Sequence, residues 1–406
     1  MIKNSQFDFV VIGGGIFGCY AALYLAGKGG RVCLIEKEDR LFQKASLVNQ
    51  ARLHGGYHYP RSMATAALSD EHKARFTAEH RPFVNFAFEK FYAIDRFGSF
   101  TDPQQFERFC QYLDIRCERV TEHPLFNFER LESLYRTEEY SFDPVLLGHF
   151  YRQKIAEAPS ITVLTNTRLI QAIANGDQWS LEAEQHSGAS SYHDDKPGHD
   201  VSQWMLKAEL QPGTTFKRLI FETPVVINAT YAATNAMNGL FGVDQLALTH
   251  EISEIAFVHS PPFHGKGLTV MDGPFGSIMP YGLSGLLSLS SVAYTHHKIS
   301  YDNLPTFDCQ VVEDPRCRPE APGICTECPR RPVSNAYKML AQMRQYYDES
   351  VQFEHLFSYF TIKSKLKASD IDDGRPTEIA RLRDQPGFYC LFAGKVNSIY
   401  EVEKIV

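Results

Sequence analysis

Two stretches of the chain hold residues of the kind that bind cofactors and do chemistry. The first is Gly13-Gly14-Gly15-Ile16-Phe17-Gly18, a G-x-G-x-x-G through Gly13, Gly15 and Gly18, with Glu36 standing 18 residues after Gly18. Gly13 permits a tight turn, Gly15 lets the backbone approach a pyrophosphate, and Gly18 lets a helix pack closely on a strand. Glu36 is placed to accept hydrogen bonds from ribose hydroxyls, and an acid there disfavours a 2′-phosphate. The second stretch, Lys44–Ser62 (KASLVNQARLHGGYHYPRS), crowds Ser46, Asn49, Gln50, Arg52, His54, Tyr57, His58, Tyr59 and Arg61 around Gly55-Gly56. Surface loops rarely carry two His, two Tyr and two Arg together, so the segment reads as the lining of a cofactor or substrate site.

These residues need elements to position them. Phe7–Ile12 is a short apolar run of the kind a buried parallel strand shows, and it leads straight into the glycines. A helical pattern follows, with Ala22, Leu25 and Ala26 on one face, as far as Gly29-Gly30. Arg31–Ile35 then reads as a second strand ending at Glu36. Strand, glycines, helix, strand and terminal acid in register make a dinucleotide-binding βαβ unit, for FAD or NAD rather than NADP.

From the N-terminus through Ser62 the sequence resembles the FAD-dependent oxidoreductases of the D-amino-acid oxidase superfamily, the glycine oxidase and L-2-hydroxyglutarate oxidase relatives. Ala45-Ser46 and Asn49 match the loop that follows the first βαβ unit in that family, and Gly55-Gly56-Tyr57 resembles its Gly-x-Tyr-Tyr element. Val225–Thr230, Asp373–Ile379 and Phe388–Gly394 resemble three later segments: a cofactor-side strand, a D-G-x-P-x-x-G and a final strand with its glycine. Departures mark a divergent branch. Tyr231 stands where the family usually has Gly, Ile379 or Ala380 replaces the Gly after the proline, and Lys395 and Asn397 replace small residues after Gly394.

The resemblance implies FAD as cofactor, an enzyme, and oxidation of an amine or alcohol by hydride transfer to flavin N5. Oxygen or another electron acceptor would reoxidise the flavin. The implied cofactor contacts are Gly13, Gly15, Ile16, Phe17 and Gly18 in the first turn, and Glu36 and Lys37 after the second strand. They continue with Ala45, Ser46, Asn49, Gln50 and Arg52 in the loop, then Leu169, Asn228, Ala229 and Thr230. Gly394, Lys395, Val396, Asn397, Ser398 and Ile399 complete the set at the C-terminal end. A short helix beginning at Asn397 would aim its N-terminus at the flavin N1 side, stabilising the anionic reduced ring. Candidates for substrate chemistry are His54 and His58, each a general base or a covalent tether, together with Tyr57, Tyr281 and Arg375. Arg52, Arg61 and Arg375 are alternative clamps for a substrate carboxylate. Two other readings remain open: a flavin-binding protein with a structural or redox-sensing role, and an NAD(P)H-dependent flavin monooxygenase.

The expected fold class is α/β: a Rossmann-like FAD-binding domain with a discontinuous α+β substrate domain containing an antiparallel sheet. The FAD-binding domain is expected to comprise residues 1–75, 145–180, 215–240 and 365–406, and the substrate domain 76–144 and 241–364. Helical spacing is read over 64–93, 104–113 and 145–156, and strands at Ile161–Leu164 and Leu219–Ala229. The polar stretch 175–204 reads as an excursion between hairpin strands, its scattered histidines matching no ligand pattern. Residues 250–300 read as antiparallel sheet, with Tyr281, Tyr294, His296 and His297 at strand ends where pocket residues often sit. The Cys/Pro-rich loop 302–332 holds Cys309, Cys317, Cys325 and Cys328, a candidate structural zinc site or simply loop thiols.

Composition bounds the rest. At 406 residues, 44% hydrophobic and 22% charged, the chain is expected to be a globular protein of two domains, or three, rather than a disordered one. A net charge of −7 leaves no basic surplus for phosphates, which argues against nucleic acid as a partner and leaves a small-molecule substrate. No run approaches a membrane-spanning length, no targeting segment is recognised, and nine cysteines do not suggest a disulfide framework, so a cytoplasmic location is expected. Aromatics reach 13%, a surplus that either fills a core or lines a pocket for a flat ligand, with Tyr57, Tyr59, Tyr281 and Tyr400 as the pocket candidates.

Overall fold

A computed structural model describes residues 5–57, 72–186, 216–310, 316–370, 377–392 and 394–405. The strand Phe9–Ile12 is almost wholly buried and pairs in parallel with Val32–Ile35 on one side and Val225–Asn228 on the other. Ile161–Leu164 and Gly387–Phe392 extend this parallel sheet outward, and Glu378–Arg383 closes it antiparallel. Uniformly apolar strands need cover on both faces. The helices Ile16–Gly27 and Pro144–Ala156 supply one layer, packing through Ala21, Ala22, Leu25, Leu147 and Tyr151. A four-stranded sheet with Trp179, Leu181 and Phe221 covers the other.

A nine-stranded, mostly antiparallel sheet forms the second body of the fold. Its core pair is Leu248–His259 with Glu354–Leu366, and Lys266–Met271 runs parallel to Glu89–Asp95. The helix Ala336–Arg344 seals it through Ala336, Met339 and Met343. A small three-stranded sheet joins Arg52–Leu53, Tyr140–Phe142 and Val84–Asn85. The architecture is therefore α/β with an antiparallel second sheet.

Several local expectations change. The helical reading of 64–93 holds for 72–79 among the described residues, but Glu89–Asp95 is a strand. Phe83, Phe86 and Phe91 fit helical spacing, yet the strand's pairing with two neighbours overrides propensity. Leu219–Ala229 is two strands, Phe216–Thr223 and Val225–Asn228, in different sheets. Part of the polar excursion is itself a strand, Gln178–His186, whereas His193 and His199 lie outside the described residues.

The zinc expectation is corrected. Cys309, Cys317, Cys325 and Cys328 are free and half-buried, and among the described residues no three His, Cys, Asp or Glu groups stand together as metal ligands. Side chains elsewhere clip this loop instead. Lys37 Nζ donates to the Ala321 carbonyl at 3.4 Å, and Lys44 Nζ to the Pro322 carbonyl at 2.9 Å. The Thr326 hydroxyl both donates to the Phe360 carbonyl (3.0 Å) and accepts from its N–H (2.8 Å). No helix among the described residues is long and apolar enough to cross a membrane.

Candidate active site

The glycine turn is built as its sequence requires. Gly13 has φ +106°, and a Cβ there would lie 2.6 Å from the Ala229 carbonyl oxygen. A Cβ on Gly18 would meet the Gly13 carbonyl oxygen at 1.9 Å, so both positions are fixed by close packing. Gly15 differs. It caps the helix Ile16–Gly27, which has no acidic residue in its first turn, and a Cβ there would touch only Ser46 Oγ, at 3.0 Å. The helix N-terminus thus presents a positive dipole end beside bare backbone, which suits an anion. Glu36 braces the turn by accepting from the Gly14 N–H at 2.6 Å, and Ser46 Oγ accepts from the Ile16 N–H at 2.9 Å.

A cavity of about 660 Å³ opens from this turn. Beside the turn it is lined by Gly13, Gly15, Ile16 and Phe17, and by Glu36, Lys37 and Leu169. Ala229 and Thr230, and Glu320, Ala321, Pro322 and Gly323 of the Cys/Pro-rich loop, also line it. Beside it, burial disfavours the Glu38 carboxylate, but Lys44 and Lys37 outweigh that and hold its pKa down to about 2. Towards the other end the lining passes to Ala45, Ser46, Asn49, Gln50, Arg52 and His54. Thr361 and Lys363 of the large sheet face them, with Gly394, Lys395 and Val396 completing the wall. Length, bare backbone at one end and mixed polar side chains at the other fit an extended dinucleotide.

The cavity loop runs through strained backbone, with φ +70° at Phe42 and +53° at Ala51. Asn49 secures it, accepting from the Ala51 N–H at 2.7 Å and donating to the Ser46 carbonyl at 2.9 Å. Gln50 donates to Ser290 Oγ at 2.7 Å, tying the loop to the large sheet. Tyr231 takes φ +54°, the left-handed region in which glycine is favoured. Its hydroxyl donates to the Ser364 carbonyl at 3.0 Å and accepts from the Ser364 N–H at 3.1 Å, which offsets that strain.

Arg52 is turned inward. Its side chain is 2% exposed and donates to Thr269 Oγ1 (2.9 Å), Ser277 Oγ (2.5 Å) and Met279 Sδ (3.0 Å), with Glu139 Oε2 at 3.5 Å. A guanidinium committed to these partners is not presented as a carboxylate clamp. Lys90, also buried, donates to Thr269 Oγ1 at 2.5 Å. Burial, and next the Arg52 charge, push its pKa well below the ordinary lysine value. His54 lines the cavity with Nδ1 3.9 Å from Glu139 Oε1.

Other expected residues sit behind the wall. Gly18 is buried under the turn, and Asn228 donates to Asn238 Oδ1 at 2.8 Å while accepting from the Thr230 N–H. Asn397, Ser398 and Ile399 are buried in a 3₁₀ helix, Val396–Ile405, in which Ser398 Oγ donates to the Lys395 carbonyl at 2.7 Å. Tyr57 is 1% exposed and donates to the Arg116 carbonyl at 2.7 Å. Tyr281 donates to the Leu47 carbonyl at 2.5 Å, and Tyr400 packs edge-on to Tyr20. None of these three tyrosines is among the residues lining the cavity. Their rings serve packing, because each hydroxyl or ring already has a partner inside the protein.

His296 and His297 are likewise off the cavity, 3.0 Å from Glu251 and 2.7 Å from Glu254. His58, Tyr59, Arg61 and Arg375 lie outside the described residues. Sequence reasoning missed Lys90, Glu139, Thr269 and Ser277. A lysine inside the apolar strand Glu89–Asp95 was the available signal, but its partners come from elsewhere in the chain.

The family described as FAD dependent oxidoreductase matches residues 8–241. The FAD-dependent monooxygenase FPY4 of Fusarium mangiferae is 25% identical over 285 residues, covering 70% of this chain and 64% of that protein. The chain therefore spans less than two thirds of that relative's length. Glycine oxidase from Geobacillus kaustophilus shares the fold with a TM-score of 0.66 at 13% identity, over 98% of this chain and 92% of that one. L-alpha-Glycerophosphate Oxidase from Mycoplasma pneumoniae, with FAD bound, aligns with a TM-score of 0.63 at 16% identity, over 98% and 93% of the two chains.

Proposed function

The chain belongs to the FAD dependent oxidoreductase family and is an enzyme, and on that premise we propose that it oxidises a C–N or C–O bond of a small polar substrate. The observation that carries this reading is one continuous cavity whose walls include both the helix N-terminus at Gly15 and the side chains of Arg52 and His54. Bound FAD would supply the hydride acceptor. Gly13, Gly15 and the helix end would hold its pyrophosphate, and Glu36 its ribose hydroxyls. At the other end the buried Arg52 is next but one to His54, and His54, which lines the cavity, would take a substrate proton. His58 and Arg375 remain candidates for substrate contact on the family resemblance. All nine cysteines are free, which fits a reducing, cytoplasmic setting.

An anaerobic screen tests the reading. Amines, amino acids and hydroxy acids are mixed with the purified holoenzyme, and one class is expected to bleach the flavin absorbance. A panel in which none does so would overturn the oxidase reading. The name of FPY4 favours a second reading, a flavin monooxygenase. Bleaching by NADPH without substrate is the outcome that would select it.

A further inference from the structure

The small sheet sets two residues side by side at the end of the cavity. Arg52 pairs with Ser141 and Leu53 with Tyr140, in antiparallel register. One step further along that register places His54 opposite Glu139. The Glu139 side chain is fully buried, and its two oxygens are used unequally. Oε2 accepts from the Tyr92 hydroxyl at 2.9 Å, with Arg52 Nε at 3.5 Å and Lys90 Nζ at 4.0 Å. Oε1 has no hydrogen-bond partner among the described residues, and His54 Nδ1 stands 3.9 Å from it.

A buried carboxylate oxygen without a partner is costly, and a fold that keeps one needs a reason to. The neighbouring cations do not supply that partner. Arg52 donates to Thr269, Ser277 and Met279, and Lys90 donates to Thr269, with burial and the Arg52 charge favouring its neutral form. His54 is the group left facing Oε1, and a movement of about 1 Å closes the gap to hydrogen-bond distance.

We propose that Glu139 is a positioning residue for His54: its Oε1 keeps a proton on Nδ1 and so leaves Nε2 as the basic atom at the cavity. A carboxylate accepts only, so the tautomer it selects is the Nδ1–H form. This inference rests on the reading that His54 serves the substrate end. A charged acceptor holds that tautomer about twice as strongly as a neutral one, so its removal shifts the ratio rather than abolishing it.

The test uses FAD-loaded protein labelled with ¹⁵N in histidine, the His54 signals being assigned by their loss in His54→Gln. The expected wild-type state is Nδ1–H. In Glu139→Gln the ratio of Nδ1–H to Nε2–H is expected to fall about fivefold, with flavin absorbance and stoichiometry unchanged. Wild-type His54 protonated on Nε2, or a ratio unmoved in Glu139→Gln, overturns the proposal. Should that variant fail to fold, the wild-type tautomer decides alone. A ratio that follows Glu139 while His54→Gln reduces its flavin with substrate at the wild-type rate would uphold the positioning and overturn the role given to His54.

Discussion

The two ends of the cavity are made in opposite ways. The end at the glycine turn is backbone: Gly13, Gly15 and a helix N-terminus, all within one short run of sequence and braced by Glu36 and Ser46. The other end is side chain: Arg52 and His54 line it, and behind them Thr269, Ser277, Glu139, Lys90 and Tyr92, drawn from distant parts of the chain, are buried around Arg52. Backbone N–H groups and a dipole recognise a phosphate whatever the substrate, so they can be specified locally. A buried charged cluster needs every partner placed at once, because one missing partner leaves an uncompensated charge.

The largest effect that sharpens this contrast is expected at Gly15. Gly15→Val should give a folded protein without FAD, because a Cβ there meets only Ser46 Oγ and the side chain would occupy pyrophosphate space. Flavin absorbance and thermal unfolding measure it together, and a yellow, stable variant would show that the phosphates lie elsewhere. Next comes Arg52→Ala. It leaves Glu139 buried without its cation, and about 3–5 kcal/mol of stability should be lost in urea denaturation. A loss below about 1 kcal/mol would mean that the cluster is not a unit.

Lys90→Met is expected to act through pH. In the folded chain burial, and next the Arg52 charge, push the Lys90 pKa well below the ordinary lysine value, whereas the unfolded chain protonates it up to about 10.4. Between these limits the unfolded state binds the extra proton, so wild-type stability rises with pH by up to about 1.4 kcal/mol per unit. The variant should lack that rise, as urea midpoints at pH 7 and 9 would report. Equal slopes in the two proteins would place the charged form in the folded cluster. The smallest effect belongs to Tyr231→Phe. Loss of its two hydrogen bonds to Ser364 should cost about 1–2 kcal/mol while FAD content stays unchanged.

How far each region could be read from sequence follows the same division. The strand–glycine–helix–strand unit was legible because its chemistry is carried by spacing, and the structure reproduces it from Phe9 to Glu36. The loop Lys44–Gln50 was legible by composition and by family likeness, and Ala45, Ser46, Asn49 and Gln50 do line the cavity. Tyr57 and Tyr281 misled because an aromatic residue beside polar neighbours looks the same in a pocket and in a core. Only their hydroxyl partners, the carbonyls of Arg116 and Leu47, distinguish the two. The four loop cysteines left two readings open, a metal clip or loop thiols, and only the structure shows Lys37, Lys44 and Thr326 anchoring the loop through backbone groups.

The sequence by itself determined the dinucleotide turn, the α/β class and the family, since each depends on residues close in the chain or on a pattern that a single strand or helix displays. The tertiary structure alone decided that Arg52 points into a buried cluster, that Lys90 and Glu139 join it, and that Glu139 faces His54. Those positions depend on strand register between distant segments, and register is set by packing across the sheet rather than by any residue's own preference.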